Sequence, residues 1–94
     1  MDYVKDMALS KREFFRSLKI AMDGADYTVD GDAVQAGTKD QGITISLEPL
    51  PERVLSALVK LERWRVTISI SGYDEQAETA FMTRFDRAFQ RGGG

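Results

Sequence analysis

The cleanest alternation of apolar and polar residues in the chain runs from Trp64 to Ser71. Trp64, Val66, Ile68 and Ile70 fall on one side, and Arg65, Thr67, Ser69 and Ser71 on the other. Successive side chains leave opposite faces of a strand, so this period predicts a half-buried β-strand ended by Gly72. Ile43, Ile45 and Leu47 alternate with Thr44, Ser46 and Glu48 and predict another strand, which Pro49 and Pro51 are expected to end. Tyr27-Thr28-Val29 and Asp32-Ala33-Val34 flank Asp30-Gly31, a hairpin signal of the type I′ kind. Strands are therefore expected at 26–29 and 32–36, with a turn-rich connection over Gly37–Gly42.

Two stretches carry the helical period instead. Phe14, Phe15, Leu18, Ala21 and Met22 share one face of a helix over 11–22. Ser10 and Glu13 have capping-box spacing, and Leu9 and Phe14 have hydrophobic-staple spacing. Gly24 stands where a left-handed cap is expected. The last helix starts after Asp74, a good N-cap. Ala77, Phe81, Phe85, Ala88 and Phe89 form its apolar face. Its carboxylates (Glu75, Glu78) lie early and its arginines late, as the helix dipole favours. Residues 1–8 are short and mixed, and are expected to be a poorly ordered lead-in.

Residues 52–63 fit both periods. Val54, Ala57, Leu58 and Leu61 have helical spacing, whereas Leu55, Ala57, Val59 and Leu61 alternate. The length favours a helix. A helix here would make strands 43–48 and 64–71 parallel through a right-handed crossover; an extended segment would leave the sheet wholly antiparallel. The expected fold is a two-layer α+β sandwich. A mostly antiparallel four-stranded sheet carries helices on one face, in the order α-β-β-β-(α)-β-α. Residues 1–91 form one domain and 92–94 a flexible Gly tail. The face under the helices is built by Tyr27, Val29, Ile43, Ile45, Leu47, Trp64, Val66, Ile68 and Ile70.

Composition removes several function classes. The 94 residues include no cysteine or histidine, which excludes disulfides, Cys/His zinc sites and His-based nucleophilic catalysis. A net charge of −2 supplies no global attraction to nucleic acid or acidic membranes. No run approaches the roughly 20 apolar residues of a spanning helix, and Met1–Asp6 lacks signal-peptide character. A cytoplasmic location is the resulting expectation. Asp30-Gly31-Asp32 is too short for a calcium loop of about twelve residues, and the hairpin accounts for it. No metal, cofactor or catalytic residue is expected.

Three surfaces remain as candidates. Arg84, Arg87 and Arg91 lie late on the last helix; Arg12 and Arg16, with Lys19, lie on the first. Packed side by side, these stripes would merge into an anion-binding or nucleic-acid-facing patch. The alternative is a solvated helix face. Thr67 and Ser69, with Thr44 and Ser46, give the outer sheet face a lightly charged surface on which a partner or second copy could dock. Gly92, Gly93 and Gly94 resemble the C-terminal glycines of ubiquitin-type and sulfur-carrier proteins, whose narrow tail threads into an adenylating enzyme. Those tails follow a strand of a β-grasp fold, whereas a Phe-rich helix precedes this one. The leading expectation is a small non-enzymatic binding or accessory module that contacts another protein, or a second copy as a homodimer. A carrier activated at its terminal carboxylate is the alternative, and a weak nucleic-acid binder the third reading. Membrane is not an expected partner.

Overall fold

The computed structural model describes the backbone of residues 1–93 and the side chains of residues 1–90. The elements are β1 (Asp2–Ala8), α1 (Lys11–Met22), β2 (Tyr27–Asp30), β3 (Ala33–Gly37), β4 (Gly42–Val54), β5 (Lys60–Ser71) and α2 (Glu75–Gly93). The architecture is two-layer α+β. Five strands, not four, form one sheet in the order β1-β5-β4-β3-β2, and every pairing is antiparallel. α1 carries the chain from one sheet edge to the other. The meander β2 to β5 then returns it beside β1.

Both helices cover one sheet face. Phe14, Leu18, Ala21 and Met22 of α1 and Phe81, Met82, Phe85 and Ala88 of α2 pack into one core with Val34, Ala36, Ile43, Ile45, Leu47, Val66, Ile68 and Ile70. The α1 cap forms as its spacing predicts: Glu13 N–H donates to Ser10 Oγ at 3.1 Å. The glutamate carboxylate accepts the Ser10 hydroxyl at 3.2 Å, a side-chain variant of the expected box. Gly24 has the positive φ expected past the end of α1, and the C-cap residue Asp23 before it is left-handed as well. Asp74 caps α2, accepting from Ala77 N–H at 2.7 Å.

Four expectations are corrected. Residues 2–8 form strand β1, paired with β5 from Asp2↔Ser69 to Ala8↔Arg63. Its inward positions include Lys5, whose ammonium reaches Asp86 of α2 at 2.8 Å; a lysine at a core-side position hides the alternation. The first hairpin turns on Gly31-Asp32, with positive φ at Gly31 and not at Asp32. That is the II′ pattern, in which Gly leads. Val29 shares the helix-side face with its register partner Val34 but remains 49% exposed, because β2 is an edge strand with no outer neighbour.

The fourth correction concerns residues 49–63. They are a β-hairpin, not a helix, and β4 runs through both prolines to Val54. The reason is sidedness. Leu47 N–H donates to Asp32 O on β3, so it points away from β5. Pro49, two residues on, has the same orientation, so its missing N–H falls on the open edge of β4. Pro51 lies in the irregularity between Leu50 and Arg53, where the register slips. An open edge and a bulge are the two places a strand tolerates proline.

Candidate functional site

β3 pairs with β4 only as far as Ala33↔Ser46, and β1 with β5 only as far as Ala8↔Arg63. Beyond those points β4 and β5 have each other alone. The result is a two-stranded arm that lengthens the described residues to 47 × 25 × 22 Å. A tight turn closes it, with Leu55 N–H donating to Val59 O at 2.9 Å and Val59 N–H to Ser56 Oγ at 3.1 Å. Every residue from 51 to 60 is exposed. Four are large and apolar: Leu58 is 95% exposed, Val54 62%, Leu55 56% and Val59 46%. Arg53 and Lys60 stand at the arm's neck, opposite Leu61 and Val54. Trp64 lies at the arm's root with Pro49 as its cross-strand neighbour. Its indole Nε1 is buried without a hydrogen-bond partner, and the Lys11 ammonium sits 5.6 Å from the ring centroid.

At the opposite end of the strands an open groove of about 840 Å³ separates the start of α2 from β2 and β3. Small residues make the space: Ala25, Ala36, Gly37, Ala77 and Ala80 line it. Met22, Ile43, Ile70, Phe81, Tyr27 and Tyr73 supply its apolar walls. Asp26, Glu78 and Arg84 are its charged members. Glu78 accepts the Tyr3 hydroxyl at 2.8 Å. That bond, first of all, pushes the Tyr3 pKa above its ordinary value, with desolvation and the nearby Glu78 and Glu75 charges adding to it. A second crevice of about 490 Å³ lies between β1 and the helices, and its charged groups include the paired Lys5 and Asp86.

The residues singled out in the sequence are placed as follows. Thr67 and Ser69 do share the uncovered sheet face, opposite Ser46 and Thr44 in register. The helices lie antiparallel: the Phe14 ring meets Phe89 at 5.2 Å, while Arg84 Nε donates to Ala21 O at 2.7 Å. Arg84 thus satisfies one of the last carbonyls of α1 and lies over the Phe81 ring, with Cζ 5.6 Å from the centroid. It holds the two helices together. Arg12, Arg16 and Arg87 are exposed and take part in none of the ion pairs formed among the described residues. The side chain of Arg91 and the Gly92–Gly94 tail lie outside the described side chains, and Gly94 outside the described backbone.

Sequence reasoning missed the arm tip and the groove. The tip was hidden because apolar residues at helical spacing look like core. The groove joins residues from six elements and the connecting segments, and no local pattern marks it. Among the described residues no group of three or more carboxylates is placed to hold a metal, and no helix is long and apolar enough to cross a membrane. No protein-family model, curated protein or solved structure gives a significant match to the chain.

Proposed function

We propose that the chain is a non-enzymatic binding module that contacts a protein partner through the tip of the β4–β5 arm. The observation that carries this reading is the solvent exposure of Val54, Leu55, Leu58 and Val59 at the end of a projecting hairpin. Apolar side chains clustered on a surface mark interaction sites, whereas scattered ones do not. The arm's construction favours recognition by side chains over strand addition. Pro49 lacks an N–H on the open edge, and Pro51 lies where the register slips; both are devices that discourage edge pairing. The partner therefore offers an apolar cleft. Glu52, Arg53, Lys60 and Glu62 ring the neck with balanced charge, so the apolar tip carries the recognition.

Photocrosslinking tests this. With benzoylphenylalanine at position 58, expressed in the native cell, one discrete protein adduct forms and is competed away by the unlabelled chain. The same probe at Thr67 or Arg87 gives little. An adduct at Thr67 or Arg87 with none at 58 would move the contact to the sheet or helix face and refute the arm.

A further inference from the structure

We propose that the outer half of the arm, residues 51–60, is a hinged unit that opens and closes while the body of the domain stays folded, so that the tip presents its apolar surface only when closed. This rests on the tip being the contact surface and adds what controls its presentation.

The hinge lies in the β4–β5 ladder. Pairing is continuous from Gly42↔Ser71 to Leu50↔Arg63; the register then slips, and Arg53↔Leu61 and Val54↔Lys60 follow. Across the slip Pro51 and Glu52 stand against Glu62 alone. Two residues against one is a bulge, which interrupts the ladder, and a proline there has no N–H to offer. On the body side of the slip the strands are fastened from several directions. Leu47 and Val66 are buried in the core. Arg63 pairs with Asp6 and Arg65 with Glu48. The Lys11 ammonium lies over the Trp64 ring. None of this continues outward. Every residue from 51 to 60 is exposed, and the ion pairs formed among the described residues include neither Glu52, Arg53 nor Lys60.

Exposed hydrogen bonds hold the outer half closed. Leu55 N–H and Ser56 N–H donate to Val59 O at 2.9 and 3.2 Å, and Ser56 Oγ accepts from Leu58 and Val59 N–H at 3.3 and 3.1 Å. Water replaces each on opening, so their net contribution is small. A lone two-stranded hairpin is marginal in water, and low burial with exposed hydrogen bonds marks the parts of a fold that open first. Opening parts Val54 and Leu55 from Val59 and disperses the apolar cluster. A partner therefore meets the whole surface only in the closed fraction, and its apparent affinity falls with that fraction.

Native-state hydrogen exchange along a urea series, read by NMR on the full chain, tests this. It needs no partner, so a failed hinge is distinguishable from a failed contact surface, which the position-58 probe reports. The Leu55 and Val59 amides should show measurable protection, yet at least about a hundredfold less than Val66 and Ile68 inside the sheet, whose exchange follows global unfolding constants of roughly 10³–10⁸. Their rates should barely respond to urea below the unfolding transition, because local opening exposes little new surface. Ile68→Val should speed exchange at Val66 by roughly 2- to 12-fold, the usual cost of one buried methylene, and leave Leu55 unchanged. A second chain, V54C/K60C, locks the hinge. The Leu55 to Val59 bond makes 54 and 60 a non-hydrogen-bonded pair, with α-carbons about 4.5 Å apart and within disulfide reach, and the chain has no other cysteine. Oxidised V54C/K60C should exchange at Leu55 at least about tenfold more slowly than the same chain reduced. Leu55 as protected as Ile68 and equally urea-dependent, or accelerated by Ile68→Val as much as Val66, would make arm and body one unit and refute the hinge. Equal Leu55 exchange in the oxidised and reduced forms would mean that the strands do not part, and no protection at all that there is no closed state; either result also refutes it.

Discussion

Replacing Ile68 with alanine probes the packing that holds the arm and the groove in place. Ile68 is fully buried, with Tyr3 beside it on β1 and Ile45 on β4. The substitution removes three carbons, worth about 2.4 kcal/mol at about 0.8 kcal/mol each. The cavity adds to this, for a usual total of ~2–5 kcal/mol. Strands flank the site on both sides and the helical layer covers it, so collapse is limited and a loss of about 3–5 kcal/mol is expected. Against the total stability of ~5–15 kcal/mol typical of a domain, that is a large fraction. The melting temperature should fall by roughly 12–40 °C, at about 4–8 °C per kcal/mol for this size. In urea the midpoint should drop by at least about 1 M, read from the fluorescence of Trp64, the single tryptophan. Ser69→Ala, one residue along on the uncovered face, should stay within about 0.5 kcal/mol of wild type. Equal, small effects at both positions would mean that β5 does not present Ile68 to the helices.

Ser10→Ala should cost about 0.5–2 kcal/mol by unmaking the α1 cap, seen as a lower urea midpoint. Gly72→Ala should cost more than about 1 kcal/mol: Gly72 has φ +83°, and an added methyl would overlap the Asp40 carbonyl. Circular dichroism melts would show it. Tyr3→Phe removes the bond to Glu78 and should be less stable than wild type at neutral pH. Because the folded Tyr3 pKa lies above its ordinary value of 10.0, the unfolded tyrosine deprotonates first. The wild-type advantage is therefore complete below about pH 10 and fades as pH rises through the folded pKa. Paired urea titrations from neutral to strongly alkaline pH would follow the gap, and a gap that widens with pH would contradict the assignment.

The parts of the fold legible in the sequence were those set by local chemistry. α1 lies at 11–22 as its cap, staple and apolar stripe predict, and the 64–71 alternation is the inner part of β5. What stayed hidden depends on neighbours. Pro49 stops a strand or passes through it according to which edge its nitrogen faces, and sequence does not carry that orientation. Lys5 looks polar, yet its stem lies along the core side while its ammonium reaches Asp86. Residues 52–63 satisfy both periods because Ala57 and Leu61 belong to each. The length preference for a helix lost because β4 and β5 are long strands that pair beyond the sheet. Of the candidate surfaces, the Thr67 and Ser69 face was legible from parity alone. Arg84 was not, since its acceptor, the Ala21 carbonyl, belongs to another helix.

Everything functional here rests on residues 48–62 being an extended arm, and a nuclear Overhauser measurement tests that most directly. With Leu47 N–H turned toward β3, Leu47↔Val66 and Pro49↔Trp64 are non-hydrogen-bonded pairs. Their α-carbons lie about 4.5 Å apart, which brings the α-protons into contact. Strong Hα–Hα cross-peaks for both pairs are expected, with no continuous series of i to i+3 Hα–HN cross-peaks over 52–63. A continuous i to i+3 series through that segment, with the Pro49–Trp64 cross-peak missing, would mean a helix there and would contradict the arm and its tip.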